Sequence, residues 1–321
     1  MRILLWHLHG AWTTAFVHGG HTYLVPTSPE RDAYGLGRAR TYRWPDSAVE
    51  VAPGDLAGTD VDVVILQRPE EWDLAERWLG GRRLGRDVPV VYVEHNTPKG
   101  DVPTTRHPVA DRDGVTLVHV THFNSLFWDA GATPTRVIEH GIPDPGRRWT
   151  GELPRIAVAI NEPVRRWRVT GTDLLPRFAA VAPLVVYGMK VAGLPERLGL
   201  GPERIAVHDD PPQAEMHEQL VRRRLYLHPH RWTSLGLSLL EAMTCGVPVV
   251  VVATTESVLA VPPEAGALST DPDELVEAAR WLVSDETAAR RCGEAARAAA
   301  LRRYGLARFL GDWDRLLKEV S

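Results

Sequence analysis

The sequence predicts an α/β protein made of two doubly wound, Rossmann-like units followed by a helical tail. Three observations carry this. The chain has 321 residues, about twice the ~150 residues of an ordinary domain. Short β-branched and apolar runs alternate with segments of helical period, the pattern of a parallel sheet with crossover helices. The alternation stops at a Gly- and Pro-bearing stretch around 137–146 and restarts at 154.

In the first half, strands are expected at 2–6, 22–25, 61–66, 88–93 and 116–120. A helix is expected at 69–79 and a short one at 127–131, before a strand from Arg136 that runs into a turn. The segment between the first two strands leaves almost no room for a helix. In the second half, strands are expected at 156–160, 184–187, 205–208, 225–228 and 247–253, with helices at 172–180, 213–223 and 238–244. The tail reads as helices at 273–284, 286–304 and 306–320, with Gly305 as the break. The expected division is 1–146 as an acceptor-side unit, 147–304 as a donor unit, and 305–321 as a terminal helix packing back on the first. In such folds, ligands bind at the carboxyl edge of the sheet, where strand ends and helix N-termini converge.

Composition narrows the functional classes. With 44% hydrophobic and 24% charged residues the chain is globular, and a net charge of -4 argues against a broad nucleic-acid or anionic-membrane surface. Local anion binding stays open, because arginines cluster at 164–168 and 222–224. Cys245 and Cys292 are the only cysteines, which excludes a disulfide framework and makes a reducing cytoplasm the expected location. No run approaches the ~18–20 apolar residues of a membrane span, and the apolar start is too short for a secretory signal. Abundant Arg, Ala, Gly and Pro with few lysines suggest a GC-rich bacterial source, of actinobacterial type.

The most informative segment is 227–250, Leu227-His-Pro-His-Arg-Trp-Thr-Ser-Leu-Gly followed by Leu237-Ser-Leu-Leu-Glu-Ala-Met-Thr-Cys-Gly-Val-Pro-Val-Val. It places a strand, a loop and a helix N-terminus in series, and free backbone N–H groups there present a positive dipole end to an anion such as a diphosphate. Gly236 lets backbone approach a ligand closely. Glu241, read as lying in the first turn, offers acceptors to a ribose diol. Ser238 and Glu241 also have the Ser-x-x-Glu spacing of a capping box, so that pair alone has two readings. This segment resembles the donor site of retaining GT-B glycosyltransferases of the family 4 (group 1) type, in which a loop bearing Glu-Gly-Phe-Gly precedes a helix bearing Glu-Ala-Met-x-x-Gly-x-Pro. One position departs: Thr233 stands where that family usually has a carboxylate.

Other segments fit the same resemblance. Asn161-Glu-Pro-Val-Arg-Arg-Trp-Arg-Val-Thr-Gly is similar to the family's Gly-Arg…Lys-Gly segment, whose cations hold the donor diphosphate. Here Thr170 replaces the lysine, leaving Arg165, Arg166 and Arg168, whose forked guanidinium groups suit phosphate; a solvated basic loop is the other reading. Glu94, His95 and Asn96 follow a predicted strand, and the resemblance implies that His95 touches the transferred sugar. His9-Gly10 is similar to the first-strand loop that contacts ligand through backbone. The segment around Gly188 is similar to the family's glycine-bearing strand end beneath the nucleotide base, and the resemblance implies that His208 lies beside that base. The resemblance implies that Thr233, Ser234, Leu235, Gly236 and Leu237 form the donor loop. Trp12, Tyr34, Tyr42 and Trp44 are candidates for an aromatic platform or for core. Glu139-His-Gly-Ile-Pro-Asp144 is similar to the interdomain hinge.

The resemblance implies a GT-B fold and a retaining, metal-independent transferase that moves a sugar from an NDP-sugar to an unidentified acceptor, small molecule or glycan. It implies no cofactor. His95, Arg166 and Glu241 would carry the chemistry, and Arg165, Arg168, Gly10, Thr170, Gly188, His208 and 233–237 the donor. Neither His228-Pro-His230 nor His119-x-x-His122 has the spacing of a zinc site. Asp111-Arg-Asp113 falls outside the donor half. Two alternatives remain, a non-catalytic nucleotide-sugar-binding or scaffold homologue and a GT-B-like NDP-sugar epimerase.

Overall fold

The computed structural model describes residues 1–146 and 148–321. The chain divides into two compact units, Met1–Gly141 with Leu306–Ser321, and Ile142–Gly305.

In the first unit the elements run β1 (Arg2–Leu5), α1 (Gly10–Phe16), β2 (Thr22–Pro26), β3 (Ala48–Val51), β4 (Val63–Leu66), α2 (Glu71–Trp78), β5 (Val90–Glu94), β6 (Val115–His119), α3 (His122–Phe127) and β7 (Thr135–Val137). The seven strands are ordered β3-β2-β1-β4-β5-β6-β7 and pair in parallel throughout. All four residues of β4 and all five of β5 are buried, as expected of strands covered on both faces.

The second unit runs β8 (Leu153–Ala159), α4 (Pro163–Arg166), α5 (Leu175–Ala179), β9 (Leu184–Gly188), α6 (Leu194–Leu198), β10 (Ile205–Asp209), α7 (Gln213–Leu220), β11 (Arg223–His228), α8 (Leu237–Thr244), β12 (Val249–Val252), α9 (Ser257–Ala260), β13 (Gly266–Ser269), α10 (Pro272–Ser284) and α11 (Glu286–Tyr304). Its six strands are ordered β10-β9-β8-β11-β12-β13, again all parallel. The order reverses between β8 and β11, the strand whose loop leads to α8, which is the switch point where such sheets take ligands. α11 packs closely on this sheet because Gly293 lets it approach; a Cβ there would stand 2.1 Å from the Gly246 carbonyl oxygen.

The last helix, α12 (Leu306–Val320), belongs to the first unit. Phe309, Trp313, Leu316 and Leu317 form its buried stripe at helical spacing. Trp313 meets Trp12 at 5.8 Å and Phe16 at 4.9 Å between ring centroids. Arg308 donates to the carbonyls of Glu139 and His140.

Several elements differ from expectation. A helix does fit between the first two strands: α1 takes seven residues, and its short Ala- and Thr-rich sequence is stabilised by burial of Trp12 through Phe16 and by the Thr14 hydroxyl on the Gly10 carbonyl at 2.7 Å. The short helix expected at 127–131 lies at His122–Phe127 instead. Thr121 caps it by accepting from the Asn124 N–H at 3.1 Å, and the chain then turns through Asp129 and Gly131 (φ +55°). The segment 172–180 is a 3-10 turn (Thr172–Leu174) followed by α5, whose Pro176 lies in its first turn. Edge strands β3 and β13 were not anticipated. Among the described residues no helix is long and apolar enough to cross a membrane.

Candidate nucleotide site

At the carboxyl edge of the second sheet the loops after β8, β9 and β11 converge. Gly171 (φ +69°) fits directly over Pro229, where a Cβ would lie 1.8 Å from the carbonyl oxygen. Gly188 (φ +139°) closes β9 against Ile160 in the same way, at 2.2 Å. The main-chain N–H groups of Arg231 and Trp232 both donate to the Val169 carbonyl, at 2.9 and 3.2 Å, so loops 161–171 and 229–236 form one body.

Strain concentrates here. Among the described residues, Glu162, Trp167, Lys190, Asp210 and Thr255 have positive φ without being glycine, and they occupy the loops that leave β8, β9, β10 and β12. Such backbone costs ~1–3 kcal/mol per residue and persists where the surroundings dictate it, commonly at ligand sites.

The three candidate arginines separate by their partners. Arg165 is exposed and tied to Glu162, which Lys190 also contacts at 2.7 Å; these hydrogen bonds hold the Glu162 carboxyl down at about 2. Arg168 is exposed and paired with Asp173 at 2.5 Å, and Arg231 takes the same carboxylate at 2.6 and 2.9 Å. Arg166, at the end of α4, is half-buried and has no ion-pair partner among the described residues. Burial first, then Arg165, lowers its pKa below the ordinary guanidinium value. A half-desolvated cation without a counter-ion is poised for an external anion.

Thr170, at the position of the missing lysine, is fully buried and bonds the Thr172 hydroxyl at 2.9 Å and the Trp167 carbonyl at 3.2 Å. It serves the loop's own architecture.

In the 229–236 loop, Ser234 and Leu235 are buried while Thr233, Gly236 and Leu237 are half-buried. Gly236 is the N-cap of α8, with no side-chain cap, and its bare Cα accommodates the His228 ring, which a Cβ would meet at 2.3 Å. The capping-box reading of Ser238 fails. Its hydroxyl instead pairs with the Tyr226 hydroxyl at 2.9 Å, and the N–H groups at the helix start are left without a side-chain cap.

Glu241 lies in the second turn of α8 rather than the first, because the helix begins at Leu237. Its carboxylate is buried and accepts a hydrogen bond from Gln213 Nε2 on α7 at 2.7 Å, while His217 Nε2 on the same helix lies 3.5 Å away without a hydrogen bond. Residues 213 and 217 are one helical turn apart, which is why both reach it. His208, on β10, stacks on Tyr187 at 5.2 Å and 17°. Asp144 belongs to the second unit and pairs bidentately with Arg297 at 2.7 and 2.8 Å.

The first unit carries the remaining candidates at the carboxyl ends of its own strands. His95 follows β5, its ring 4.0 Å from that of His9 and 5.0 Å from that of Trp12. The Nε2 atoms of His9 and His95 and Nδ1 of His140 are buried without a hydrogen-bond partner in the structure. Burial keeps all three neutral: His95 falls well below the ordinary value, His9 to about 4 and His140 to about 3. Glu94 is committed to structure, accepting from the Asn96 N–H at 2.6 Å and from His107 at 3.1 Å. Gly10 begins α1 beneath the Tyr42 ring, which a Cβ would meet at 2.6 Å. Trp12 and Trp44 are core residues, Trp44 donating to the Thr14 hydroxyl at 2.8 Å, and Tyr34 is covered by the Arg68 guanidinium. They form no common platform.

Arg166, Gly188, His208, 233–237 and Glu241 thus share the carboxyl edge of the second sheet, while Arg165 and Arg168 are turned to carboxylates and Gly10 and His95 belong to the other unit. Sequence reasoning missed Arg231, Gln213 and His217, and considered His230 only as a metal ligand. The i, i+4 pair on α7 was the available signal for two of them. Among the described residues no group of three or more His, Cys, Asp or Glu has the arrangement to hold a metal ion.

Two doubly wound parallel sheets with a C-terminal helix returning to the first unit define the fold class as GT-B. Solved structures agree over nearly full length. Sucrose-phosphate synthase from Thermosynechococcus elongatus is similar over 99% of this chain and 98% of its own, with 14% identity and a TM-score of 0.74. Anabaena HepE, solved in complex with UDP and with UDP-glucose, is similar over 99% and 100%, with 14% identity and a TM-score of 0.73. A glycosyltransferase from Rickettsia africae follows at 99% and 98%, 14% identity and 0.66. At this identity the likeness establishes the fold. More particularly, residues 184–299, within the second unit, match the family described as Glycosyl transferases group 1. No curated protein matches the chain in sequence.

Proposed function

We propose that the protein is a glycosyltransferase of family 4 type that uses an NDP-sugar and retains configuration at the anomeric carbon without a metal. The observation that carries this reading is the 227–250 segment. It folds as β11, a loop and α8 at the switch point of the sheet, inside the stretch that matches the group 1 family. The diphosphate lies on the N–H groups at the start of α8 and on Arg166, which stabilise the charge that develops as the glycosidic bond breaks. Glu241, oriented by Gln213 and His217, accepts from the ribose hydroxyls. His208 and Gly188 border the base. In the first unit, neutral His95 holds a sugar hydroxyl; a neutral imidazole can both donate and accept. UDP is the first nucleotide to try, since HepE was solved with it.

A thermal-shift series with UDP, GDP, ADP and TDP tests the reading, because a ligand that binds only the native state raises the melting temperature. The expected result is a clear shift with one nucleotide that shrinks in Glu241→Ala, and NDP-sugar turnover that persists in EDTA. No shift with any nucleotide at millimolar concentration would overturn it. One observation favours the non-catalytic homologue: Thr170 is committed to its own loop. Nucleotide binding without turnover of any NDP-sugar would support that second reading.

A further inference from the structure

Among the described residues, the cradle has one unpaired permanent cation, Arg166, for a ligand carrying two or three negative charges. Arg165, Arg168, Lys190 and Arg231 are all spent on Glu162 and Asp173. His230 occupies the same edge. It follows β11 and Pro229, and it stacks on His228 at 4.3 Å and 23°. Its backbone is fixed, with the carbonyl accepting from the Thr254 hydroxyl at 3.0 Å and the next two N–H groups anchored on Val169. The side chain is more than nine-tenths buried, and Nδ1 has no hydrogen-bond partner in the structure. A buried polar atom left unpaired is costly and calls for a ligand.

Resting on the nucleotide-site reading above, we propose that His230 is the second cationic contact for the donor diphosphate, taking one proton from solvent as the diphosphate binds. In the empty protein the ring is neutral. Burial, then His228, then Arg166, hold its pKa well below the ordinary value. Of the groups around it, Arg166 and His228 oppose its charge, the Arg231, Arg168 and Asp173 set is internally paired, and Glu256, carried on the segment after β12, is paired with Arg303. Among the described residues, none of these carboxylates is left over to charge the imidazole before ligand arrives. A diphosphate beside Arg166 reverses the balance, because negative charges at contact distance in a poorly solvated site favour the imidazolium. The bookkeeping is simple: one proton moves from solvent to the ring, no bond to phosphate forms, and the proton returns when the nucleotide leaves. The pair supplies charge only while ligand is present, which avoids two unpaired buried cations in the empty protein.

Calorimetric titration of the full-length protein with UDP, at pH 7.5 in two buffers of different ionisation enthalpy, counts the protons. The expected result is uptake of about one proton per UDP by the wild type, none in excess of the nucleotide's own in His230→Gln, and affinity about tenfold weaker in that variant. UMP, which has no β-phosphate, should show little uptake in either protein. Because His230→Gln can fail to fold, the His230 ring resonance of the wild type, followed by NMR with and without UDP, gives the same answer without a variant: it should move to the imidazolium position on binding. Equal proton uptake in the wild type and the variant, or a resonance that stays neutral in saturating UDP, overturns the proposal while leaving the nucleotide site intact. Absence of any binding heat with UDP, GDP, ADP, TDP or inorganic pyrophosphate overturns both.

Discussion

The two units are built on the same plan, parallel sheets with helices on both faces, yet their carboxyl edges have opposite chemistry. The edge of the first presents imidazoles held neutral by burial, the rings of His9 and His95 lying 4.0 Å apart and tilted by 34°. The edge of the second presents strained loops, glycines pressed onto carbonyl oxygens, an unpaired guanidinium and a helix start without a side-chain cap. A doubly wound sheet delivers a place for a ligand; the loop residues decide its charge. Neutral donor–acceptor groups suit hydroxyls, and the second edge suits an anion.

The largest effect expected on this contrast is structural. Gly171→Val asks a β-branched residue to adopt φ +69° with its Cβ 1.8 Å from the Pro229 carbonyl oxygen, which should cost ~3 kcal/mol or more. Chemical denaturation measures it. A loss under ~0.5 kcal/mol would mean that the second edge is not the rigid cradle described here.

Acid should act on both edges. A histidine whose folded pKa is depressed binds its proton only after unfolding, so stability is fully present above the unfolded value of about 6.5 and falls as pH drops below it. Burial lowers His9 and His119 to about 4 and His140 and His228 to about 3. Between pH 6.5 and 4 each contributes a loss of ~1.4 kcal/mol per pH unit. Denaturation midpoints measured at steps from pH 7 to 4.5 should fall steeply. A flat profile would show that the imidazoles are not held neutral.

Glu241→Ala is expected to weaken nucleotide binding by ~1–3 kcal/mol, part of it from leaving Gln213 unpaired. The same variant should also lose the preference for UDP over its 2′-deoxy form. Retained preference would place the ribose elsewhere. The smallest effect belongs to Arg165→Ala, which removes an exposed, solvent-screened pair with Glu162 and should leave both the denaturation midpoint and the nucleotide affinity close to wild type.

How far the sequence could be read follows from what each residue answers to. The central buried strands and the 227–250 segment were legible because long apolar runs and a specific loop-to-helix pattern leave few alternatives. The edge strands β3 (Ala-Val-Glu-Val) and β13 (Gly-Ala-Leu-Ser) were not, since four residues with polar or glycine members look like loop and are strands only because a neighbour pairs with them. α1 was missed for a related reason, as tertiary burial rather than propensity stabilises it. Among the arginines, the spacing 165, 166, 168 did not reveal which faces outward to a carboxylate. The unusual backbone at Glu162 and Trp167 (φ +55° and +22°) sets those directions, and no local pattern announces it. Glu241 stood out in the sequence through the helix motif that carries it, but its neighbours Gln213 and His217 lie on another helix and were visible only in three dimensions.

The central claim, that the second edge binds a diphosphate through Arg166, is tested most directly by titrating UDP into the wild type, Arg166→Ala and Arg165→Ala under one set of conditions. The account predicts an affinity loss of about tenfold or more for Arg166→Ala, as expected for a charge-assisted phosphate contact, with Arg165→Ala close to wild type. Equal losses in the two variants, or wild-type binding by Arg166→Ala, would contradict it.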